Sequence, residues 1–300
     1  MNIVRPIEIV DANLTATTAP ETEHPIYVAG TTYAVGDKVI VVATHKAYES
    51  LIATNLGNYP PDNLIGVEPA WLDIGATNAW RMFDTQVGTL TEAQDSFSVS
   101  VDLGVLANSI ALLNMEVAKI GITITEPTEG VVYSKEIDMV SNSGIINLYD
   151  YFFQPIVRDR DLVKLDLPAF PKATVKIDFS GTGTVSCGMM VIGNKKTIGT
   201  TKWEPRISIL DYSRKEVDAF GNPTLVVRKS ARLLSCDLSI PTNYVSEAQR
   251  ILTDQRATPA VWVGHPDYHS TILYGFYRSF SIILSNFSTS DCSLDLEGLV

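Results

Sequence analysis

The sequence SFSVSVDL, residues 96–103, places Phe97, Val99, Val101 and Leu103 at every second position. Successive side chains of a β-strand point to opposite faces, so this alternation predicts a strand with one buried face. Further apolar runs, separated by Gly, Pro, Asn and Asp, occur at residues 119–125, 131–133, 162–165, 173–179 and 185–192. Turn residues recurring at this spacing predict a β-sandwich or jelly-roll-like domain over residues 76–200.

The C-terminal third continues the β pattern and contains one predicted helix. Strand candidates lie at residues 206–210, 225–227, 233–240, 260–263, 270–274, 280–284 and 292–296. In residues 243–256, Tyr244, Ala248, Ile251 and Leu252 recur at helical spacing, and Pro259 follows the segment. We therefore predict that residues 201–300 form a C-terminal β domain with a helix at residues 243–256.

The N-terminal part divides into an arm and a small module. Residues 1–28 include the polar stretch TATTAPETEHP, which has too little apolar surface to fold alone, so we predict an N-terminal arm. Residues 29–75 contain three short strand candidates, at residues 38–42, 47–52 and 70–74, separated by turn residues. The predicted fold class is therefore mainly β, with a small β module followed by the two larger β regions.

Composition limits the class of partner. The chain has 300 residues and a net charge of −11, which repels nucleic-acid phosphates and anionic membrane surfaces. No apolar stretch approaches the ~20 residues of a membrane-spanning helix, and we expect no signal peptide. Cys187, Cys236 and Cys292 are widely spaced and odd in number, so we predict reduced, buried thiols, as expected for assembly in a reducing cytoplasm.

The sequence offers few candidates for catalysis. It lacks GxSxG, Walker and GxGxxG motifs. His265 and His269 are four residues apart, but Pro266 lies between them, so a loop position is favoured over a metal pair. The acidic candidates for a carboxylate pair are Asp159, Asp161 and Asp166, and their basic neighbours favour a solvated loop. We predict a non-enzymatic protein with no cofactor and no metal site.

Aromatic residues are concentrated in the small module. The candidate carbohydrate-binding residues are Tyr33, Tyr48, Tyr59 and Trp71. Exposed aromatic faces stack on the C–H faces of sugar rings, whereas a domain this small also needs aromatic residues for its core. At this point both interpretations remain open for Tyr33, Tyr48 and Trp71.

Several motifs of the small module resemble a known family. YAVGDKV at residues 33–39, Tyr48, YPPDN at residues 59–63 and WLDIG at residues 71–75 resemble the small chitin-binding-type carbohydrate-binding modules. The usual early Trp of that family is replaced here by Tyr27 or Tyr33. The resemblance covers about a sixth of the chain and implies contact with a host-surface glycan.

The remaining motifs resemble tail proteins of long-tailed bacteriophages. They are WRMFD (80–84) with VGT (87–89), LDYSRK (210–215) with FGN (220–222), RATPAVW (256–262) and CSLDLEGL (292–299). This resemblance implies a virion structural protein of the tail tip or baseplate. Its partners would be copies of itself in a ring and other tail or baseplate proteins.

The turn DAFGNP, residues 218–223, predicts an extended hairpin tip. Phe220, Gly221 and Asn222 are the candidate assembly contact, and an ordinary solvent-exposed hairpin is the alternative. Two other functions remain open: an adhesin whose main role is glycan recognition, and a glycan-degrading enzyme.

Overall fold

The computed structural model describes residues 1–141, 145–217 and 220–299, which form a mainly β fold. The first strands are β1 (Asn2–Pro6), β2 (Leu14–Thr17), β3 (Thr32–Tyr33), β4 (Lys38–Val41), β5 (Lys46–Ser50), β6 (Asn55–Leu56), β7 (Trp71–Ala76), β8 (Thr91–Asp102), β9 (Ser109–Glu116), β10 (Lys119–Glu126) and β11 (Gly130–Asp138). The later strands are β12 (Leu162–Lys164), β13 (Thr174–Thr197), β14 (Thr200–Thr201), β15 (Arg206–Asp211), β16 (Arg214–Val217), β17 (Pro223–Val226), β18 (Ser230–Pro241), β19 (Ala260–Val263), β20 (Ile272–Ile283) and β21 (Thr289–Gly298). The α-helices of these residues are α1 (Leu148–Phe153) and α2 (Val245–Asp254), and 3-10 turns occupy Val42–Thr44, Pro60–Asp62, Asn78–Phe83, Thr242–Tyr244 and His269–Thr271.

The 24-residue strand β13 organises a 14-stranded sheet. Along one edge it pairs with β8 and then β1, and along the other with β10 and then β9. From β1 the sheet continues through β19, β20, β21 and β18, which carries β14 and β15 on its outer edge. One sheet therefore runs through both residues 76–200 and residues 201–300.

Strand β1 lies inside this sheet, so the first residues differ from the predicted arm. Asn2–Pro6 pair antiparallel with β13 on one side, and Asn2–Val4 pair with β19 on the other. Gly193 of β13 permits this approach, because a Cβ atom there would collide with the carbonyl oxygen of Arg5. A five-residue strand whose partners lie far along the chain carries too little local pattern to be recognised.

The alternation that predicted β8 is confirmed by burial. Phe97, Val99 and Val101 are buried, and the ring of Phe97 stacks on that of Phe179 with centroids 4.5 Å apart. The predicted helix is also confirmed as α2, which buries its apolar face against a second core beside β18 and β21. The three cysteines are free and buried, as predicted.

The sheet curls so strongly that distant strands meet. In a flat sheet, β12 and β20 would lie about 24 Å apart, since neighbouring strands are spaced by about 4.8 Å. Yet the carboxylate of Asp159, just before β12, lies 3.6 Å from Nε2 of His269, just before β20. Apolar side chains from β12, β9, β13, β1, β19 and β20 share one core inside this curl.

The small module has its own sheets, β4-β5-β7 and β3-β6. It connects to the large sheet through His45, whose ring stacks on Trp80 at a centroid distance of 4.0 Å. Nε2 of His45 also lies 2.8 Å from Oδ1 of Asp11. In addition, Oε1 of Glu23 accepts a hydrogen bond of 2.6 Å from the backbone N–H of Asn78. The polar segment before the module therefore forms part of its attachment.

Candidate assembly surfaces

The aromatic residues of the small module contact one another. The ring centroids of Tyr33 and Trp71 are 5.3 Å apart, and Tyr27 lies 5.8 Å from both Tyr33 and Tyr59. Nε1 of Trp71 donates a hydrogen bond of 2.9 Å to the carbonyl oxygen of Asn58. The indole is thereby anchored at its apolar and its polar end, as expected for a buried Trp.

This arrangement places three of the four predicted sugar-binding residues in a core. Tyr33, Tyr48 and Trp71 are 7%, 2% and 1% exposed, and they pack with Val39 and other apolar residues. Their faces are covered, so they form no open platform, and the core interpretation is the one their burial supports. Tyr59 alone among the four is substantially exposed, at 38%.

The predicted assembly residues lie at the end of a projecting ribbon. Strands β16 and β17 pair only with each other among the described strands, and Phe220, Gly221 and Asn222 connect them. Gly221 has a φ of +84°, which suits a tight turn. Phe220 is 90% exposed, and the predicted turn residues 218 and 219 lie outside the described residues.

Apolar side chains are exposed on strand β17 of this ribbon and at its base, whereas three of the four residues of β16 (RKEV) are charged. All six residues of β15 are exposed, although RISILD is half apolar. The large exposed side chains of the region are Trp203, Ile207, Ile209, Leu210, Tyr212, Val217, Phe220, Leu225 and Val227. Several large apolar side chains exposed in one region are typical of interaction sites.

A second apolar projection was not predicted from the sequence. Residues 145–157, which we call the α1 knob, contain the helix LYDYFF and connect β11 to β12. Tyr149, Tyr151, Phe152 and Phe153 are each at least 67% exposed. The detectable signal was four aromatic residues within five positions, which is unusual for a solvated connection.

The α1 knob has a defined local geometry. Asn147 caps the helix, because its Oδ1 accepts a hydrogen bond of 2.9 Å from the backbone N–H of Asp150. Tyr149 and Phe153 lie one turn apart, with ring centroids 4.7 Å apart, and so form a ridge. The rings are thus held in place on the helix, although they face outward.

A third apolar tip lies at the turn between β20 and β21. Its large exposed side chains are those of Ile283, Leu284 and Phe287, and Phe287 is fully exposed. Three separate elements of the described chain therefore project apolar side chains away from the cores.

The residues considered for chemistry do not converge on one site. Asp161 accepts a hydrogen bond of 2.9 Å from the backbone N–H of Asn114, and Asp166 lies 2.5 Å from Nζ of Lys195. Asp159 is paired with His269, as described above. His265 contacts Asp267 at 3.7 Å. Within residues 1–141, 145–217 and 220–299, no group of three or more His, Cys, Asp or Glu side chains is placed to hold a metal ion.

Comparisons with known proteins add no family assignment. No protein-family model matches the chain, and no curated protein matches its sequence. Among the described residues, the helices are too short to cross a membrane. Function must therefore be argued from the surfaces themselves.

Proposed function

We propose that this protein is a structural subunit of a bacteriophage tail tip or baseplate, which assembles with copies of itself and with other tail proteins. The observation that carries the proposal is the apolar surface on three projecting elements: the ribbon with its base, the α1 knob and the β20–β21 tip. Monomeric proteins seldom expose such surface, whereas subunits of assemblies bury it against neighbours. The motif resemblance to tail proteins supplies the kind of assembly.

The charge of the chain supports the same function. With a net charge of −11, copies repel one another except where apolar contacts outweigh the repulsion. The exposed apolar elements supply such contacts, and the acidic remainder keeps free subunits soluble before assembly. The adhesin alternative has less support, because three of its four candidate rings are buried.

A charge placed on the ribbon tests the proposal. We expect the wild-type chain to form a ring-sized multimer in light scattering and sedimentation experiments. Leu225→Asp, on the exposed ribbon strand β17, should raise the concentration needed for assembly at least tenfold, because a carboxylate would have to be desolvated in the contact.

Thr224→Asn is the control, since it changes the neighbouring exposed position, on the other face of β17, without placing a second carboxylate opposite Glu216. It should have the smaller effect. A wild-type chain that stays monomeric at high concentration, and that cryo-electron microscopy does not find in tail particles, would refute the proposal.

A further inference from the structure

We propose that the α1 knob of one copy docks into an apolar groove on a second copy, an inference that rests on the assembly function proposed above. The groove lies between the β14–β15 connection and the loop that precedes β20. Its apolar wall is formed by Trp203, Pro205, Ile207 and Tyr268. The chain therefore carries both the exposed α1 knob and an apolar groove that could cover it in a second copy.

The α1 knob has enough area for a specific interface. An aromatic side chain buries about 150–250 Å² when covered, so the three rings that share one face of the helix, Tyr149, Phe152 and Phe153, offer roughly 300–530 Å² at 67–71% exposure. Ile146, Leu148 and Ile156 add further exposed apolar surface. A standard interface buries about 800 Å² per partner, so the knob supplies a substantial part of one side.

The groove has a size that fits an aromatic ring. Its cavity volume is about 200 Å³. An apolar protein cavity of about 150 Å³ is large enough to bind benzene, so this groove can receive one ring of the Tyr149–Phe153 ridge. Trp203 and Tyr268 are themselves exposed, and aromatic pairs gain from edge-to-face contact as well as from burial.

Both surfaces carry few acidic side chains. The α1 knob contains one ionisable acid, Asp150, in thirteen residues, whereas the whole chain has 34 Asp and Glu residues in 300. The residues lining the groove include no acid, and its basic residues are paired within the chain: Lys202 Nζ lies 2.5 Å from Asp291, and His265 lies 3.7 Å from Asp267. Two strongly acidic copies can therefore approach here with less repulsion than over the rest of their surfaces.

The contact is head-to-tail, since the knob and the groove are different surfaces. Each copy in such an arrangement uses its knob on one neighbour and accepts the knob of another. Repetition of a head-to-tail contact generates a ring when the rotation closes. The proposed contact therefore accounts for a ring without requiring a two-fold axis.

Photo-crosslinking between isotopically distinct copies tests the contact. In one unlabelled full-length copy, a photoreactive phenylalanine analogue replaces Phe153. This copy is mixed with the wild-type full-length chain labelled with ¹⁵N. After irradiation, mass spectrometry should find Phe153 peptides joined to peptides of residues 201–207 or 264–271 from the labelled copy. Trp203→Ser with Tyr268→Ser in the labelled copy should reduce this crosslink at least tenfold.

The same analogue at Thr128, an exposed position in the turn between β10 and β11, is the control and should give no crosslink to the groove. The docking proposal would be overturned if multimers formed but Phe153 crosslinked to the α1 knob of the other copy, or to no part of the other copy. The assembly function would still stand in that case. A chain that forms no multimer and is missing from particles would instead refute the assembly function.

Discussion

The small module and the α1 knob are both rich in aromatic residues, but the module buries most of its rings and the knob exposes them. In the module, strands β4, β5 and β7 enclose Tyr33, Tyr48 and Trp71. On the knob, a six-residue helix presents four rings to solvent. Aromatic content alone therefore does not define a binding surface, since the outcome depends on whether the same chain supplies an opposing element.

The two regions also differ in the source of their stability. The module gains from burial of its rings, whereas a helix as short as α1 is marginal alone and must be held by its cap, its chain ends or a partner. Substitutions should therefore affect folding in the module and association at the knob. Substitutions in the two regions separate these effects.

Trp71→Ala should unfold the small module. Removing a fully buried Trp costs about 3–5 kcal/mol, which is comparable with the whole stability of a domain of about fifty residues. The hydrogen bond to the carbonyl of Asn58 is lost at the same time. Hydrogen exchange should show loss of protection in β5 and β7, with protection in β13 retained.

Tyr59→Ala is the matched control for this experiment, because Tyr59 belongs to the same aromatic cluster but is exposed. It should cost about 1 kcal/mol or less and leave β5 and β7 protected. If Trp71→Ala left the module folded but abolished binding to a glycan, the ring would be a ligand contact, and the core interpretation would fail.

Phe152→Ser should have the opposite effect at the knob. Because the ring is two-thirds exposed, the free energy of unfolding of the monomer should change by no more than about 0.5 kcal/mol. Urea unfolding of the dilute protein measures this, and sedimentation at high concentration should show weaker association. A stability loss above about 2 kcal/mol would mean that the knob packs on its own chain.

The sequence predicted those features whose signal is local. The alternation in residues 96–103 predicts β8, and the helical spacing in residues 243–256 predicts α2. Both patterns repeat several times within one short segment, so neither depends on distant residues. Strand β1 was missed because its pairing partners lie far along the chain. The role of Trp71 stayed open because its burial depends on other strands packing against it, and the local sequence pattern does not show which strands these are. The α1 knob was missed because six residues are too few for a periodicity argument.

Cys187 can report whether the module and the large sheet unfold separately. Burial raises the pKa of its thiol to about 12, so at pH 9 only about one molecule in a thousand carries the reactive thiolate. In the unfolded chain the pKa returns to about 8.5, and most of the thiol is then ionised at that pH. The raised pKa therefore contributes to the stability of the folded state, and this contribution is fully present below about pH 8.5. It is lost as the pH rises towards 12.

In Trp71→Ala, alkylation of Cys187 at pH 9 should therefore stay as slow as in the wild-type chain, while full labelling appears in denaturant. Mass spectrometry of the alkylated peptide resolves this thiol from Cys236 and Cys292. Slow labelling alongside an unprotected β5 would establish that the module opens independently of the large sheet. Rapid labelling would contradict the separation, because loss of the module's aromatic core would then have propagated through the His45–Trp80 contact into the core around β13.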